Sequence, residues 1–331
     1  MAETPQSGLL SVTDLCMYFP VGRRLPGQPQ QYVRAVDGVT FSIQLSQTLG
    51  LVGESGCGKT TIGRIVTRLL EPTTGSVAFE GHDVTHLKGR GLRQFHPQVQ
   101  IVFQDPYTSL NPRLSVEKIV AEPLVINRRG SQREILKRAH ELLEAVGLPV
   151  RDGNRPPSEF SGGQRQRVAI ARALALQPKL VVCDEPVSAL DMSIQAKILN
   201  LLVDLQNQLH LTYLFISHDL SVVRLVSDWV AVMYLGRIAE AGPAESLFAK
   251  PLHPYTQALM TAVPDPHRRT GIQALSGEVP SNVRPPAGCR FHTRCPDKMP
   301  ICEQHSPALR SVDGGRDAAC FLYHDATETL S

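Results

Sequence analysis

No stretch of this 331-residue sequence approaches the roughly 18 uncharged apolar residues that a membrane-crossing helix needs. The richest run, residues 222–235, is broken by Arg224, Ser227 and Asp228, so no span is expected. The start does not resemble a secretory leader either. Met1-Ala2-Glu3-Thr4-Pro5 carries an acid where basic residues would stand, and no apolar segment follows, so the chain is expected to stay in the cytosol. Charge of one sign is scarce: 34 Lys and Arg against 31 Asp and Glu leave a net charge of +3, too weak a bias to mark a nucleic-acid binder. Internal repeats and low-complexity tracts are missing. The cysteines number seven, an odd count that does not suit a disulfide framework, and four of them (Cys289, Cys295, Cys302, Cys320) fall in the last fifth of the chain. In a reducing compartment such clustering points to metal.

What is present describes an ordinary globular chain of about two domains. Short apolar runs alternate with helical patterns, the pattern of an α/β protein with a parallel sheet covered by helices. Strands are expected at residues 10–15, 40–45, 48–52, 76–79, 99–103, 179–183, 212–216, 229–234 and 237–240. Between Val102 and Leu180 helical signals replace strand signals, which implies a helical insertion. Within it Ser131 and Glu134 have capping-box spacing, Ile135, Leu136, Ala139, Leu142, Leu143 and Val146 are expected on one face, and Gly147 stops the helix. Residues 22–31, with Pro26 and Pro29, read as a loop. From about Pro251 onward prolines and glycines multiply, so a core of helices and strands alone is not expected there, and a small domain of that kind usually needs a staple.

Gly53-Glu54-Ser55-Gly56-Cys57-Gly58-Lys59-Thr60 fits a phosphate-binding loop, following an apolar strand and opening a helical run at 61–70. Glycines let the backbone curl so that amides and a helix N-terminus face phosphate, while Lys59 reaches the β/γ oxygens and Thr60 can ligate Mg²⁺. Leu180-Val181-Val182-Cys183-Asp184-Glu185 is an apolar strand ending in two carboxylates, which suits Asp184 to hold Mg²⁺ and Glu185 to act as general base. Ser161-Gly162-Gly163-Gln164 opens the helical run 165–175 with capping-box spacing and makes a second place where bare amides can meet phosphate. One active site would not ordinarily need two such cradles.

Gln104 after a strand, Ser161-Gly162-Gly163-Gln164-Arg165-Gln166-Arg167, Asp184-Glu185, Ser188-Ala189-Leu190-Asp191 and Ser217-His218-Asp219 stand in an order that resembles ATP-binding cassette (ABC) transporter ATPases over about residues 10–250. The resemblance implies a P-loop NTPase fold of the ABC type: a β subdomain, a RecA-like parallel core and a helical insertion at about 105–178. It also implies head-to-tail pairing, with ATP between one cassette's phosphate loop and the other's Ser-Gly-Gly-Gln segment, which accounts for the second cradle. By the same resemblance Phe19, beside Tyr18, stacks on adenine, though a core aromatic would also suit that place. Gln104 touches Mg²⁺ and the attacking water, His218 touches the γ-phosphate, and Asp191 lies in the loop that communicates across the dimer. The catalytic set implied is Glu185, His218, Lys59 and Gln104. The nucleotide contacts implied run through Phe19, the loop residues Gly53, Glu54, Ser55, Gly56, Cys57, Gly58, Lys59, Thr60 and Thr61, then Gln104, Ser161, Gly162, Gly163, Gln164, Asp184, Asp191 and His218, with Thr60, Gln104 and Asp184 toward Mg²⁺.

His253-Pro254-Tyr255-Thr256-Gln257-Ala258-Leu259, Leu275-Ser276-Gly277-Glu278-Val279-Pro280 and Pro285-Pro286-Ala287-Gly288-Cys289 resemble the C-terminal region of dipeptide and oligopeptide importer ATPases, as do Gln104-Asp105-Pro106-Tyr107 and Ser109-Leu110-Asn111-Pro112. The expected organisation is a nucleotide-binding domain at 1–250 and a small irregular Cys-rich domain at 251–331. The expected function is ATP hydrolysis that energises dipeptide or oligopeptide uptake. The same machinery importing nickel, glutathione or another solute is the near alternative, and a soluble ABC ATPase without a membrane partner is the distant one. The partners implied are a non-identical second ATPase subunit, two transmembrane permeases and, indirectly, a periplasmic or lipid-anchored peptide-binding protein, without nucleic acid. The place implied is the cytoplasmic side of the inner membrane.

Cys289, Cys295, Cys302 and Cys320 are separated by five, six and seventeen residues. Zinc ligand pairs usually sit closer, iron–sulfur spacings vary by family, and four unrelated core thiols are a third reading, so the residues alone leave the occupant open. The resemblance favours a [4Fe–4S] cluster on these four cysteines, because the importer ATPases carry them in this arrangement. His292, His305 and His324 stand nearby as substitutes if zinc is held instead.

Overall fold

A computed structural model describes residues 8–22, 30–261 and 277–324, so most of the expected loop at 22–31 and the residues Leu275 and Ser276 lie outside the described residues. The chain divides into two compact units, one made of Met1–Gln44, Thr48–His86 and Ser217–Ser331, the other of Leu45–Gln47 and Leu87–Ile216. The first unit begins with β1 (Leu10–Val21), β2 (Gln31–Ile43), β3 (Thr48–Val52), α1 (Lys59–Val66), β4 (Thr74–Phe79) and β5 (His82–Asp83). Strands in the order β2-β1-β4-β5 form an antiparallel sheet.

The second unit carries α2 (Gly89–Phe95), β6 (Val99–Val102), α3 (Pro106–Ser109), α4 (Val116–Ile126), α5 (Gln132–Ala145), α6 (Gly162–Leu174), β7 (Leu180–Asp184), α7 (Met192–Leu209) and β8 (Thr212–Ser217). Within it β6 pairs with β7 and β7 with β8, both parallel. Every residue of β7 and β8 is buried, which is why these strands read as continuous apolar runs rather than alternating ones. Helix α5 has the expected reciprocal cap, Ser131 N–H donating to Glu134 Oε2 at 2.8 Å and Glu134 N–H to Ser131 Oγ at 3.4 Å. Ile135, Ala139, Leu142 and Leu143 bury as expected, but Leu136 lies on the exposed side at 39%.

The chain returns to the first unit through α8 (Leu220–Val226), β9 (Trp229–Tyr234), β10 (Arg237–Pro243), α9 (Ala244–Ala249), α10 (Pro254–Thr261), α11 (Ile301–Gln304), β11 (Arg310–Asp313) and β12 (Arg316–Ala318). Strand β9 is parallel to β3, and β10, β12 and β11 follow antiparallel. The residues after 250 are thus part of the first unit by compactness, their strands extending the sheet from β10.

Several elements differ from the sequence expectation. Strands β1 and β2 run much longer than 10–15 and 40–45, because register breaks near Val12, Leu15 and Met17, with Asp14 at φ 46°, scramble the alternation that would betray them. The helix after the phosphate loop starts two residues earlier than 61 and ends at Val66 instead of 70. Thr67 turns its hydroxyl onto the Gly63 carbonyl at 2.9 Å and Arg68 takes a left-handed φ of 57°. The short strands β5, β11 and β12 were not legible, being two to four residues long.

Candidate nucleotide and cysteine sites

The phosphate loop joins β3, wholly buried, to α1. Gly58 caps α1 at φ 110°, and a Cβ there would collide with the Ala35 carbonyl, so only glycine fits. Lys59 is buried, 4% exposed, and its ammonium donates to the carbonyls of Gly53 at 2.7 Å and Glu54 at 3.0 Å. The loop therefore already holds the lysine folded back over its own backbone. The Cys57 carbonyl accepts from Gly236 N–H at 2.9 Å. Because a trans peptide sets its N–H opposite its C=O, this bond turns the Gly58 amide the other way. The Cys57 thiol is buried and accepts from the Lys59 ammonium at 3.7 Å, and its burial raises its pKa, outweighing the nearby Lys59 charge.

Phe19 is half-buried on β1, opposite Val33 of β2. Its neighbour Tyr18 donates its hydroxyl to Asp37, which also receives the guanidinium of Arg290 and, at 3.2 Å, that of Arg237. Burial works to raise the Asp37 pKa, yet the Tyr18 hydrogen bond and the two arginine charges overcome it and hold the carboxyl below its ordinary value. Burial first, then the bond to Asp37, drives the Tyr18 pKa upward, so the phenol stays protonated as a donor.

In the second unit Asp184 is buried at the end of β7, 4% exposed, and Glu185 follows half-buried. Glu185 has φ 48°, left-handed for a non-glycine residue, while its amide donates to the Ile216 carbonyl at 2.9 Å. Such backbone strain persists only where the surroundings impose it, and it clusters at functional positions. Gln104 is exposed after β6 and donates Nε2–H to Glu185 Oε2 at 3.0 Å, so two of the expected catalytic residues are brought together. Ser161 and Gln164 form the expected box: Ser161 N–H donates to Gln164 Oε1 at 2.9 Å, and Gln164 N–H to Ser161 Oγ at 3.3 Å. Gly163 packs where a Cβ would strike Ile194 of α7. Asp191 is the N-cap residue of α7 and is exposed. His218, exposed, belongs to the first unit, as do Phe19 and the phosphate loop.

Cys289, Cys295, Cys302 and Cys320 line one cavity together with Phe291, His292 and His253. The Cys289 amide donates to the Cys302 carbonyl at 2.8 Å, which clips the two segments together. Burial pushes the Cys289 thiol up to about 12 and the Cys320 thiol up to about 11, with lesser contributions from neighbouring cysteines. Among the described residues no three His, Cys, Asp or Glu side chains are set to hold a single metal ion. The four thiols supply the donor chemistry of a four-thiolate cluster and line the same cavity, but no metal-holding group is formed among them.

Sequence reasoning missed the groups that brace the loop from the C-terminal residues. Tyr255 of α10 accepts the Glu54 amide at 2.9 Å, Arg294 grips the Glu54 carboxylate through two bonds of 2.8 and 3.0 Å, and Asn282 donates to the Gly56 carbonyl at 3.1 Å. Tyr255, Tyr234 and Phe291 pack against one another in tilted and edge-to-face pairs with ring centroids 4.6 to 5.4 Å apart. Tyr255 stands in the 253–259 stretch that carries the C-terminal resemblance, but nothing in the spacing of Tyr255, Asn282 and Arg294 points to the loop.

The loop on its strand and helix, with paired carboxylates ending a parallel strand, defines a phosphate-binding-loop nucleotide hydrolase. The ABC transporter family matches residues 36–188, and the family described as oligopeptide/dipeptide transporter, C-terminal region, matches 239–302. The chain is 48% identical over 328 residues to the oligopeptide transport ATP-binding protein AppF of Bacillus subtilis, covering 98% of this chain and 100% of that one. It is 50% identical over 322 residues to a putative peptide import ATP-binding protein of Brucella ovis, covering 97% and 98%. Among solved structures it resembles the ATP-binding cassette MJ0796, a dimer bound to ADP and Pi, with a TM-score of 0.63, 30% identity and coverage of 71% of this chain and 98% of that one. CbiO1 of Clostridium perfringens, part of an ABC transporter complex, gives the same score at 28% identity, covering 74% and 92%. The chain belongs to the ABC transporter ATPases, in the branch that carries the oligopeptide/dipeptide C-terminal region.

Proposed function

We infer that this chain is the ATP-hydrolysing subunit of an ABC importer of peptides. Near-full-length identity of about 50% to peptide import ATP-binding proteins carries this conclusion. Such a subunit works with transmembrane permeases, and none of the described helices is itself long and apolar enough to cross a membrane. It would sit on the cytoplasmic side of the inner membrane, held there by its permeases. Dipeptides or oligopeptides are the substrates we assign to the assembly; the choice among them rests with a periplasmic or lipid-anchored binding protein and the permeases.

The residue roles are proposed on motif order. Lys59 and the loop amides, with Ser55 and Thr61 among the contacts, bind the β and γ phosphates. Thr60, Asp184 and Gln104 would hold Mg²⁺, whose charge offsets that developing on the phosphates. Glu185 takes the proton of the attacking water, and the Gln104 amide orients its carboxylate. His218 touches the γ-phosphate, and Phe19 stacks on adenine. The Ser161-Gly162-Gly163-Gln164 segment and Asp191 serve the ATP of a second cassette, which we assign to a non-identical subunit. The boundaries proposed are a nucleotide-binding domain at 1–250, with its helical insertion at 105–178, and a Cys-rich domain at 251–331.

Cys289, Cys295, Cys302 and Cys320 would hold a [4Fe–4S] cluster, whose iron–thiolate bonds would tie together a segment poor in regular structure. Protein purified without oxygen is then brown, absorbs near ~400 nm and contains about four irons and four sulfides per chain. Cys320→Ser loses the colour. A colourless anaerobic preparation with one zinc and no acid-labile sulfide overturns the cluster. The importer reading is tested separately: deleting the gene abolishes growth on peptides as sole nitrogen source, and unimpaired growth contradicts it.

A further inference from the structure

The contacts around Glu54 fix more than the loop's outline. Its N–H points out to the Tyr255 hydroxyl at 2.9 Å, and the carbonyl of the same peptide unit, Gly53 C=O, points the opposite way and accepts the Lys59 ammonium at 2.7 Å. A trans peptide enforces that opposition, so the bond on one side sets the direction of the acceptor on the other. Arg294 adds a second hold on the same residue. Its side chain is 4% exposed, and its guanidinium meets the Glu54 carboxylate as a fork and reaches the Tyr234 hydroxyl at 3.4 Å. The bond to Glu54 is the main reason its pKa rises, and a planar fork of this kind fixes orientation in a way a lysine cannot.

We propose that Tyr255 and Arg294 are positioning residues for Lys59, setting through the Gly53–Glu54 peptide the direction in which the lysine meets the terminal phosphates. The proposal rests on the reading of this loop as the ATP site. It makes the C-terminal region part of nucleotide recognition: residues outside the phosphate-loop motif decide how well the motif's lysine is aimed. The lysine reaches the β and γ oxygens, so loss of aim weakens ATP more than ADP.

The test uses the full chain and titrates ATP and ADP separately with Mg²⁺ present. Tyr255→Phe removes one oxygen, and Arg294→Lys keeps the charge but loses the fork. Each is expected to weaken ATP binding about tenfold, the low end for losing a hydrogen bond to a charged group, and ADP binding by less than about threefold. Arg316→Lys is the control, because Arg316 pairs with Asp313 and the Lys250 carbonyl and touches no loop residue in those bonds. It should leave both affinities unchanged. In a Lys59→Ala background Tyr255→Phe should cost nothing further, since the group it aims is gone. Unchanged ATP affinity in both variants, equal losses for ATP and ADP, or a loss that persists without Lys59 would each overturn the proposal. Wild-type protein that binds no nucleotide would instead overturn the reading of the loop.

Discussion

The phosphate loop and the Ser161-Gly162-Gly163-Gln164 segment are both glycine-rich helix starts, yet they are built to different standards. In the loop, Lys59 is buried and tied to two carbonyls, and Glu54 and Gly56 are gripped by Tyr255, Arg294 and Asn282. The segment has its own capping box, with Ser161 and Gln164 exposed. Lysine and carbonyls in the loop would otherwise reorganise when phosphate arrives, so fixing them beforehand lowers the cost of binding. The segment is held at its helix start and open at its polar face. That is the form expected of a surface completed by another molecule.

Removing the base gives the largest break in this comparison. Glu185→Gln in the assembled transporter should lower turnover by about 10²–10⁴ and leave ATP binding intact, because the amide keeps the shape and cannot take the proton. Undiminished activity would remove Glu185 from its role. Lys59→Ala should next weaken ATP binding about 10- to 100-fold, the range for losing a hydrogen bond to a charged group. Glu185→Gln must bind ATP more tightly than Lys59→Ala in a side-by-side titration; the reverse order means the roles are exchanged.

Acid should loosen the loop's brace selectively. His253 is buried, its Nδ1 accepts the Tyr255 amide at 3.0 Å, and burial pushes its pKa down to about 4. The unfolded chain, with a value near 6.5, then binds the proton first. Stability contributed by neutral His253 is complete above pH ~6.5 and falls between there and about pH 4, by up to roughly 3 kcal/mol. Buried Glu240, whose pKa burial raises, works with the opposite sign, so the comparison must be with His253→Asn. That variant should show a shallower loss of melting temperature between pH 7 and pH 5, and an identical slope would dismiss the histidine.

The smallest effect sharpens the contrast between two identical caps. Ser131→Ala and Ser161→Ala each remove a capping-box hydroxyl and should each cost about 1 kcal/mol in denaturant unfolding. Only Ser161→Ala should also depress ATPase activity of the assembled transporter. Equal activity losses would make the Ser161 segment a mere helix start.

The parts legible in the sequence were those whose signal is local. The phosphate loop sits in a fixed motif, the two capping boxes need only four residues, and β3, β7 and β8 are unbroken apolar runs. The Gln104–Glu185 bond joins residues 81 positions apart, and the family resemblance implied a role for each residue but not the bond between them. Bulges hid the length of β1 and β2, since each one shifts the side-chain alternation to the other face. The brace was invisible for a further reason. Arg294 and Glu54 are 240 positions apart, and nothing in an arginine beside a cysteine reveals which carboxylate it will meet.

Completion of the site by a second cassette is tested most directly by measuring ATP hydrolysis on the isolated chain, shown to be monomeric, and again after assembly with a partner ATPase and permeases. The account predicts slow turnover by the monomer and a rise on assembly that depends cooperatively on ATP. Full, non-cooperative hydrolysis by the demonstrated monomer would contradict it.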